Sequence, residues 1–264
     1  MKEESTMDEN AQGSTGLLNG KVVLIVGAST GIGADAARVF ARAGASVMLA
    51  ARSETLLKAI ADELTADGHK AAFVVGDISV GADVARFVDE TVATFGRLDG
   101  AFNNAGITQS GRIDEVSEED FDRLMAVNVK GMWLCLREEL RVMRVQQSGA
   151  IVNVSSVGGV RGSSGFGAYQ ATKHAVIGLT RTAAHDSGPE GIRVNVVAPG
   201  PILTSMLVKT DGVIPPGVQA RIAATPLRKA GTGAEVAETA AWLLSDRASH
   251  ISGVVLPVDG GFTA

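Results

Sequence analysis

From Lys21 onward, short β-branched runs alternate with longer stretches in which apolar residues recur every three or four positions. Val22 to Val26, Val47 to Ala51, Ala72 to Val75, Gly100 to Phe102, Ile151 to Val154, Val194 to Val197 and Val254 to Val258 read as strands. Helical spacing covers Ala34 to Ala43, Leu56 to Leu64, Val84 to Phe95, Ser117 to Val145, Ala168 to Asp186 and Ala234 to Leu244. The pattern Ser117-Glu118-Glu119-Asp120 caps the start of the longest of these. The strand runs are almost continuously apolar, as strands covered on both faces are. Seven strands interleaved with helices predict an α/β fold, a doubly wound parallel seven-stranded sheet with helices on both faces.

Residues 1–18 are polar, acidic and Gly/Ser-containing, so they bury too little apolar surface to offset the entropy of ordering and are expected to form a disordered tail. Residues 19–264 contain no linker and no solenoid-period repeat and are expected to be one domain. Within it, the irregular stretch 202–230 carries Met206, Leu207, Val208, Val213, Ile214 and Pro215-Pro216, the composition of a mobile apolar lid.

Composition narrows the function classes. The 264 residues carry 24 basic and 29 acidic side chains, a net charge of −5, with no basic run suited to nucleic acid or an anionic membrane. No apolar run approaches the roughly 18 residues of a membrane span, and the start lacks the basic and apolar regions of a signal peptide, so a cytoplasmic protein is expected. The single cysteine, Cys135, excludes an internal disulfide framework and reads as a small core residue. His69, His174, His185 and His250 show no metal-ligand spacing and read as structural or surface residues; no metal is expected.

The first strand ends in Gly27-Ala28-Ser29-Thr30-Gly31-Ile32-Gly33 and runs into a helix. Such glycines allow a tight turn and bring backbone N–H groups to a pyrophosphate at the helix N-terminus, although Gly-rich strand-to-helix turns also serve packing. About 20 residues on, an acidic residue would bind the ribose hydroxyls of NAD. Ala51 stands there instead, and the guanidinium of Arg52 suits a phosphate, which favours NADP(H) and leaves NAD(H) as the alternative. Tyr169 and Lys173 lie four apart on an expected helix, thus on one face. A lysine ammonium about 4 Å from a phenolate at an effective dielectric of about 20 is worth roughly 4 kcal/mol, or about three pKa units.

Together with Asn103-Asn104-Ala105-Gly106, Asn128 in Val127-Asn128-Val129-Lys130-Gly131, Ser155-Ser156, Pro199-Gly200 and the ending Pro257-Val258-Asp259-Gly260-Gly261-Phe262, these motifs resemble a classical short-chain dehydrogenase/reductase, a Rossmann-type fold, over residues 20–264. The resemblance implies a catalytic tetrad of Asn128, Ser156, Tyr169 and Lys173. The family's spacing selects Ser156 over Ser155. Tyr169 would exchange the proton, Lys173 would hold the nicotinamide ribose and lower the phenol pKa, Ser156 would orient the substrate oxygen, and Asn128 would hold a relay water through a local helix distortion. Cofactor contacts would fall on Gly27, Ser29, Thr30, Gly31, Ile32, Gly33 and Arg52, on Asp77 and Ile78 at the adenine, and on Asn104, Ala105 and Gly106. Pro199, Gly200, Ile202 and Thr204 would flank the nicotinamide beside Tyr169 and Lys173. Two positions depart from the family pattern: Val26 replaces its usual threonine, and Thr30 stands where many NADP-dependent members carry a basic residue.

The leading expectation is a homotetrameric oxidoreductase moving a hydride between NADP(H) and an apolar or cyclic ketone or secondary alcohol. Reduction of 3-oxoacyl groups on an acyl carrier protein is the enzyme alternative. It fits poorly with the acidic stretch His185-Asp186-Ser187-Gly188-Pro189-Glu190, because an acidic carrier needs a basic dock. A cofactor-binding regulatory protein without turnover is the alternative from another class; retention of all four tetrad residues argues against it.

Overall fold

The computed structural model describes residues 16–204 and 213–264. Residues 1–15 of the expected tail and 205–212 of the expected lid, including Met206, Leu207 and Val208, lie outside the described residues. Of that tail, residues 16–18 are packed. Leu18 is fully buried and its N–H donates to the Ala43 carbonyl at 2.9 Å.

Seven strands form one sheet: β1 (Val22–Val26), β2 (Ser46–Ala51), β3 (Ala71–Val75), β4 (Gly100–Asn103), β5 (Gly149–Val154), β6 (Ile192–Pro199) and β7 (Val255–Val258). Their order is β3-β2-β1-β4-β5-β6-β7, and every pairing is parallel. The connecting helices are α1 (Gly31–Arg42), α2 (Glu54–Ala66), α3 (Gly81–Phe95), α4 (Glu118–Leu124), α5 (Gly131–Gln146), α6 (Gly167–Ser187), α7 (Pro216–Ala223) and α8 (Gly233–Leu244). On β1, Val23 and Ile25 join the core beneath α1, α2 and α8, while Leu24 and Val26 join the core beneath α3 and α5. That alternation is the period of a strand with an apolar layer on each side.

Two features depart from the sequence expectation. The long helix expected from Ser117 to Val145 is interrupted. Ser117 caps α4 by accepting from the Asp120 N–H at 3.1 Å, and a π-helical turn at Met125–Lys130 separates α4 from α5. Hydrophobic spacing alone does not register one wide turn. In the expected irregular stretch, α7 starts behind Pro215-Pro216, where proline in the first turn loses no helical hydrogen bond.

The turn after β1 shows what glycine is needed for. Gly27 has φ +85°, and a Cβ on it would lie 2.6 Å from the Ala105 nitrogen. Gly33 is buried, and a Cβ there would strike the Gly27 carbonyl and approach Asn104 Nδ2 to 2.8 Å. Gly33 thus lets α1 press against the ends of β1 and β4. Gly33→Ala is expected to destabilise the chain by about 1–3 kcal/mol through overpacking, measured by urea unfolding; an unchanged midpoint would contradict this packing role.

Candidate active site

The motifs converge at the C-terminal ends of the strands. β1 and β4 are neighbours in the sheet, but the helices that follow them lie on opposite faces, and a crevice opens between them. A cleft of about 320 Å³ occupies it. Gly27, Ser29, Thr30, Gly31 and Ile32 form its floor at the start of α1, and Asn104, Ala105 and Gly106 form the wall after β4. Arg52 stands at the β2 end, with Asp77 and Ile78 after β3 and Thr204 opposite Gly31. Thr204 closes over the turn: a Cβ on Gly31, whose φ is +56°, would lie 3.2 Å from the threonine methyl.

Several groups in the cleft are fixed by the scaffold. Asn104 Nδ2 donates to the Gly27 carbonyl at 3.0 Å, tying the two loops together. Asp77 Oδ1 accepts from the Ser79 N–H at 2.8 Å and its hydroxyl at 2.7 Å. Arg52 is different. It is exposed, and among the described residues it has no ion-pair partner. Ala51 beside it also lines the cleft.

Asn128 is buried in the π-helical turn, and its carboxamide is fully engaged. Oδ1 accepts from the Ile107 N–H at 2.8 Å, while Nδ2 donates to the Ile107 carbonyl at 2.9 Å and to Thr172 Oγ1 at 3.1 Å. Thr172 in turn donates to the Tyr169 carbonyl at 2.6 Å, so Asn128 braces the first turn of α6 against the loop after β4.

Tyr169 and Lys173 share one face of α6, with the ammonium 5.8 Å from the phenol ring centre. Lys173 is buried and its Nζ donates to the Val154 carbonyl at 3.0 Å. A Cβ on Gly106 would lie 3.4 Å from this ammonium, which joins the tetrad end to the cleft. Burial lowers the Lys173 pKa to about 8. Tyr169 is half-buried, and burial raises its phenol above the ordinary value, while a hydrogen bond with Ser156 pulls the other way. The two serines divide. Ser155 is buried and its hydroxyl donates to the Lys173 carbonyl at 2.8 Å, whereas Ser156 remains beside the phenol and accepts from the Gly158 N–H at 3.1 Å.

Six of the expected cofactor contacts, Gly33, Tyr169, Lys173, Pro199, Gly200 and Ile202, do not line the cleft. Gly33 packs beneath the turn as described above. Pro199 is buried at the end of β6, and a Cβ on Gly200 would lie 2.8 Å from Asp259 Cα. Ile202 is 4% exposed, belongs to the core under α8, and bridges Gly231. Conversely, Ser53, Gly76, Phe87, Ile107 and Val127 line the cleft although the sequence assigned them no cofactor contact. Ile107 directly follows the Asn103–Gly106 motif and Val127 belongs to the Asn128 motif, which is the signal that could have found them.

Among the described residues no group of three or more His, Cys, Asp or Glu side chains could hold a metal, and no helix is long and apolar enough to cross a membrane.

Residues 27–263 match the family described as Enoyl-(Acyl carrier protein) reductase. The chain is 43% identical over 253 residues to an A-factor type gamma-butyrolactone 1'-reductase (1S-forming) of Streptomyces virginiae, covering 94% of this chain and 97% of the relative. It is 41% identical to a 2,5-dichloro-2,5-cyclohexadiene-1,4-diol dehydrogenase of Sphingobium indicum, covering 94% and 98%. The solved structure of a levodione reductase superposes with a TM-score of 0.86 at 37% identity, covering 92% of this chain and 98% of that one. With the seven-stranded parallel sheet, the glycine turn and the Tyr169–Lys173 face already in place, this chain belongs to the classical short-chain dehydrogenase/reductase family, oxidoreductases acting on CH–OH groups.

Proposed function

We propose that the chain is an NADP(H)-preferring reductase and dehydrogenase of a small cyclic or apolar ketone and its secondary alcohol, with Asn128, Ser156, Tyr169 and Lys173 as its catalytic machinery. The observation that carries this reading is the continuity of the β1–β4 cleft with the buried Lys173 ammonium and the Ser156–Tyr169 pair. Ring compounds in the names of two relatives support the substrate class.

The cleft suits a dinucleotide. Glycines that let the turn pack closely, an α-helix N-terminus at its floor, and at its β2 end a guanidinium without an ion-pair partner among the described residues fit a pyrophosphate and a ribose 2′-phosphate. When bound, the nicotinamide supplies or accepts the hydride. Gly27 to Ile32 hold the pyrophosphate, Arg52 the 2′-phosphate, and Asp77 and Ile78 the adenine. Lys173 holds the ribose nearest the reacting carbon and, as a cation, favours the phenolate. Ser156 donates to the substrate oxygen, and Tyr169 gives its proton to that oxygen in reduction and takes it back in oxidation. Because the Asn128 carboxamide is already engaged, its contribution to a proton relay comes from the backbone of the π-helical turn. The homotetramer expected from the resemblance is retained in this reading; Trp133 on α5, 46% exposed, offers an apolar contact for it.

Cofactor preference follows from Ala51 and Arg52. Ala51→Asp combined with Arg52→Ile moves kcat/KM toward NAD(H), because the new carboxylate repels a 2′-phosphate and accepts from ribose hydroxyls. Equal or higher kcat/KM with NAD(H) in the unaltered chain contradicts the preference.

The serines are separable by kinetics. Ser156→Ala lowers kcat by about tenfold to a hundredfold, the scale of one lost positioned donor, while Ser155→Ala acts mainly on stability by removing the hydroxyl's bond from β5 to the Lys173 carbonyl. Similar kcat values for the two variants would be incompatible with these roles.

Tyr169 is the chain's single tyrosine, so its ionisation can be followed by ultraviolet difference absorbance. Without cofactor the phenol titrates above its ordinary value of about 10, since burial dominates. Binding NADP(H) places anionic phosphates beside the cleft, which keeps Lys173 charged, and the charged ammonium pulls the phenol down. The optical titration therefore moves to lower pH on saturation with cofactor, and Lys173→Met abolishes the move. Alcohol oxidation rises with pH through that same apparent value, since it needs the phenolate, and ketone reduction falls. A titration unmoved by cofactor in active enzyme refutes the electrostatic activation.

A further inference from the structure

Glu139 lies on α5 with no exposure, whereas its neighbour Glu138 pairs with Arg137 and Arg141. Glu139 Oε2 accepts from Asn103 Nδ2 at 3.0 Å, and the same amide also donates to Asn153 Oδ1 at 3.0 Å. Asn153 Nδ2 donates to Thr180 Oγ1 at 2.9 Å, and that hydroxyl donates to the Val176 carbonyl at 2.8 Å. This buried chain of side chains runs from α5 through β4 and β5 to α6. Two acceptors are left over in it: Glu139 Oε1 and Asn103 Oδ1 are buried with no hydrogen-bond partner among the described residues. They are the second oxygens of two planar groups already joined by one hydrogen bond. A hydrogen on Glu139 Oε1, donated to Asn103 Oδ1, would satisfy both, in the manner of an acid–amide pair.

We propose that Glu139 is held as the neutral acid, donating from Oε1 to Asn103 Oδ1, and that this pair is a positioning lock for the cofactor loop and α6. Asn103 ends β4 immediately before Asn104, which ties that loop to Gly27, and Thr180 lies on the helix that carries Tyr169 and Lys173. The positioning part of the proposal rests on reading the cleft as the dinucleotide site.

Ionised, the carboxylate would face the Asn103 oxygen with no cation to offset it. On α5 itself, the nearby titratable group is Cys135, whose buried thiol is pushed up by burial and further by Glu139. β4, β5 and α6 present Asn103, Asn153 and Thr180, none of which titrates. On α3, Asp89 is paired with Arg141 and Asp83 with Arg86, and Lys173 of α6 is turned to the Val154 carbonyl. Burial, opposed by the Asn103 hydrogen bond, pushes the carboxyl from 4.5 up to about 7.

The folded chain therefore keeps a proton that the unfolded chain releases, and this contribution to stability is complete below pH 4.5 and is lost as pH rises through about 7. Glu139→Gln has an N–H for Asn103 Oδ1 and an oxygen for Asn103 Nδ2, and it does not titrate. In urea unfolding of the full chain, the unfolding constant of wild type relative to Glu139→Gln is expected to rise about tenfold per pH unit across that window. Infrared difference spectra at pH 6 should show a protonated-carboxyl band that Glu139→Gln lacks. NADP(H) binding should weaken several-fold in Glu139→Leu and return in Glu139→Gln. A pH-independent ratio together with absence of that band overturns the proton assignment, and a Gln variant as impaired in binding as the Leu variant overturns the positioning role. If the unaltered chain binds no nicotinamide dinucleotide, the cleft reading and the positioning role fail together, and the unfolding and infrared results still decide the state of Glu139.

Discussion

The contact between two loops at the sheet's switch point governs everything built on it. β1 and β4 lie side by side, but α1 leaves to one face and the helices after β4 to the other, so their ends must approach closely without a helix between them. Gly27 meets Ala105 at a distance that admits no Cβ, Asn104 bonds to the Gly27 carbonyl, and Gly33 lets α1 sit directly on both. From this junction the crevice takes its depth, the α1 N-terminus its aim, and Gly106 its place beside the Lys173 ammonium. Side chains at Gly27 or Gly33 would collide with Ala105 and with the Gly27 carbonyl and force the two loops apart.

Features with a strong local cause were legible in the sequence. β1 needs five apolar residues on a fully covered strand, and its limits Val22 and Val26 are the same in sequence and structure. The glycine turn, the asparagine loop and the Tyr169–Lys173 face were legible because each demands a particular residue type at a fixed spacing. Tertiary context supplied the rest. The π-helical turn at Met125–Lys130 leaves the apolar spacing on either side intact, so periodicity passed over it. Ile202 reads as a pocket residue from its place after Pro199-Gly200, but the bridge to Gly231 turns it into the core under α8. Ile107 and Val127 look like ordinary apolar neighbours in sequence and line the cleft where the π-helical turn and the Asn128 bonds to the Ile107 backbone bring the two segments together.

Burial is the means by which the site sets its proton chemistry. It pushes Lys173 down to about 8 and the Tyr169 phenol up, so in the bare protein each group is biased toward its neutral form. An anion in the adjoining cleft would favour the charged form of Lys173, and a charged Lys173 would favour the phenolate of Tyr169.

The same economy explains why the chemically important residues come beside similar ones. Asn103 turns into the buried chain that includes Glu139, while Asn104 faces the cleft and holds Gly27. Ser155 bonds the Lys173 carbonyl, while Ser156 stays with the phenol. Thr172 braces Asn128, while Lys173 points to Gly106. Successive residues at a strand end point to opposite sides, and on a helix they point about 100° apart. Each neighbouring pair therefore fastens its own backbone with one member and presents the other. A side chain that must hold a proton within hydrogen-bond reach of a substrate oxygen needs that kind of anchorage one residue away, since an error of about 1 Å in placement can cost about a hundredfold in rate.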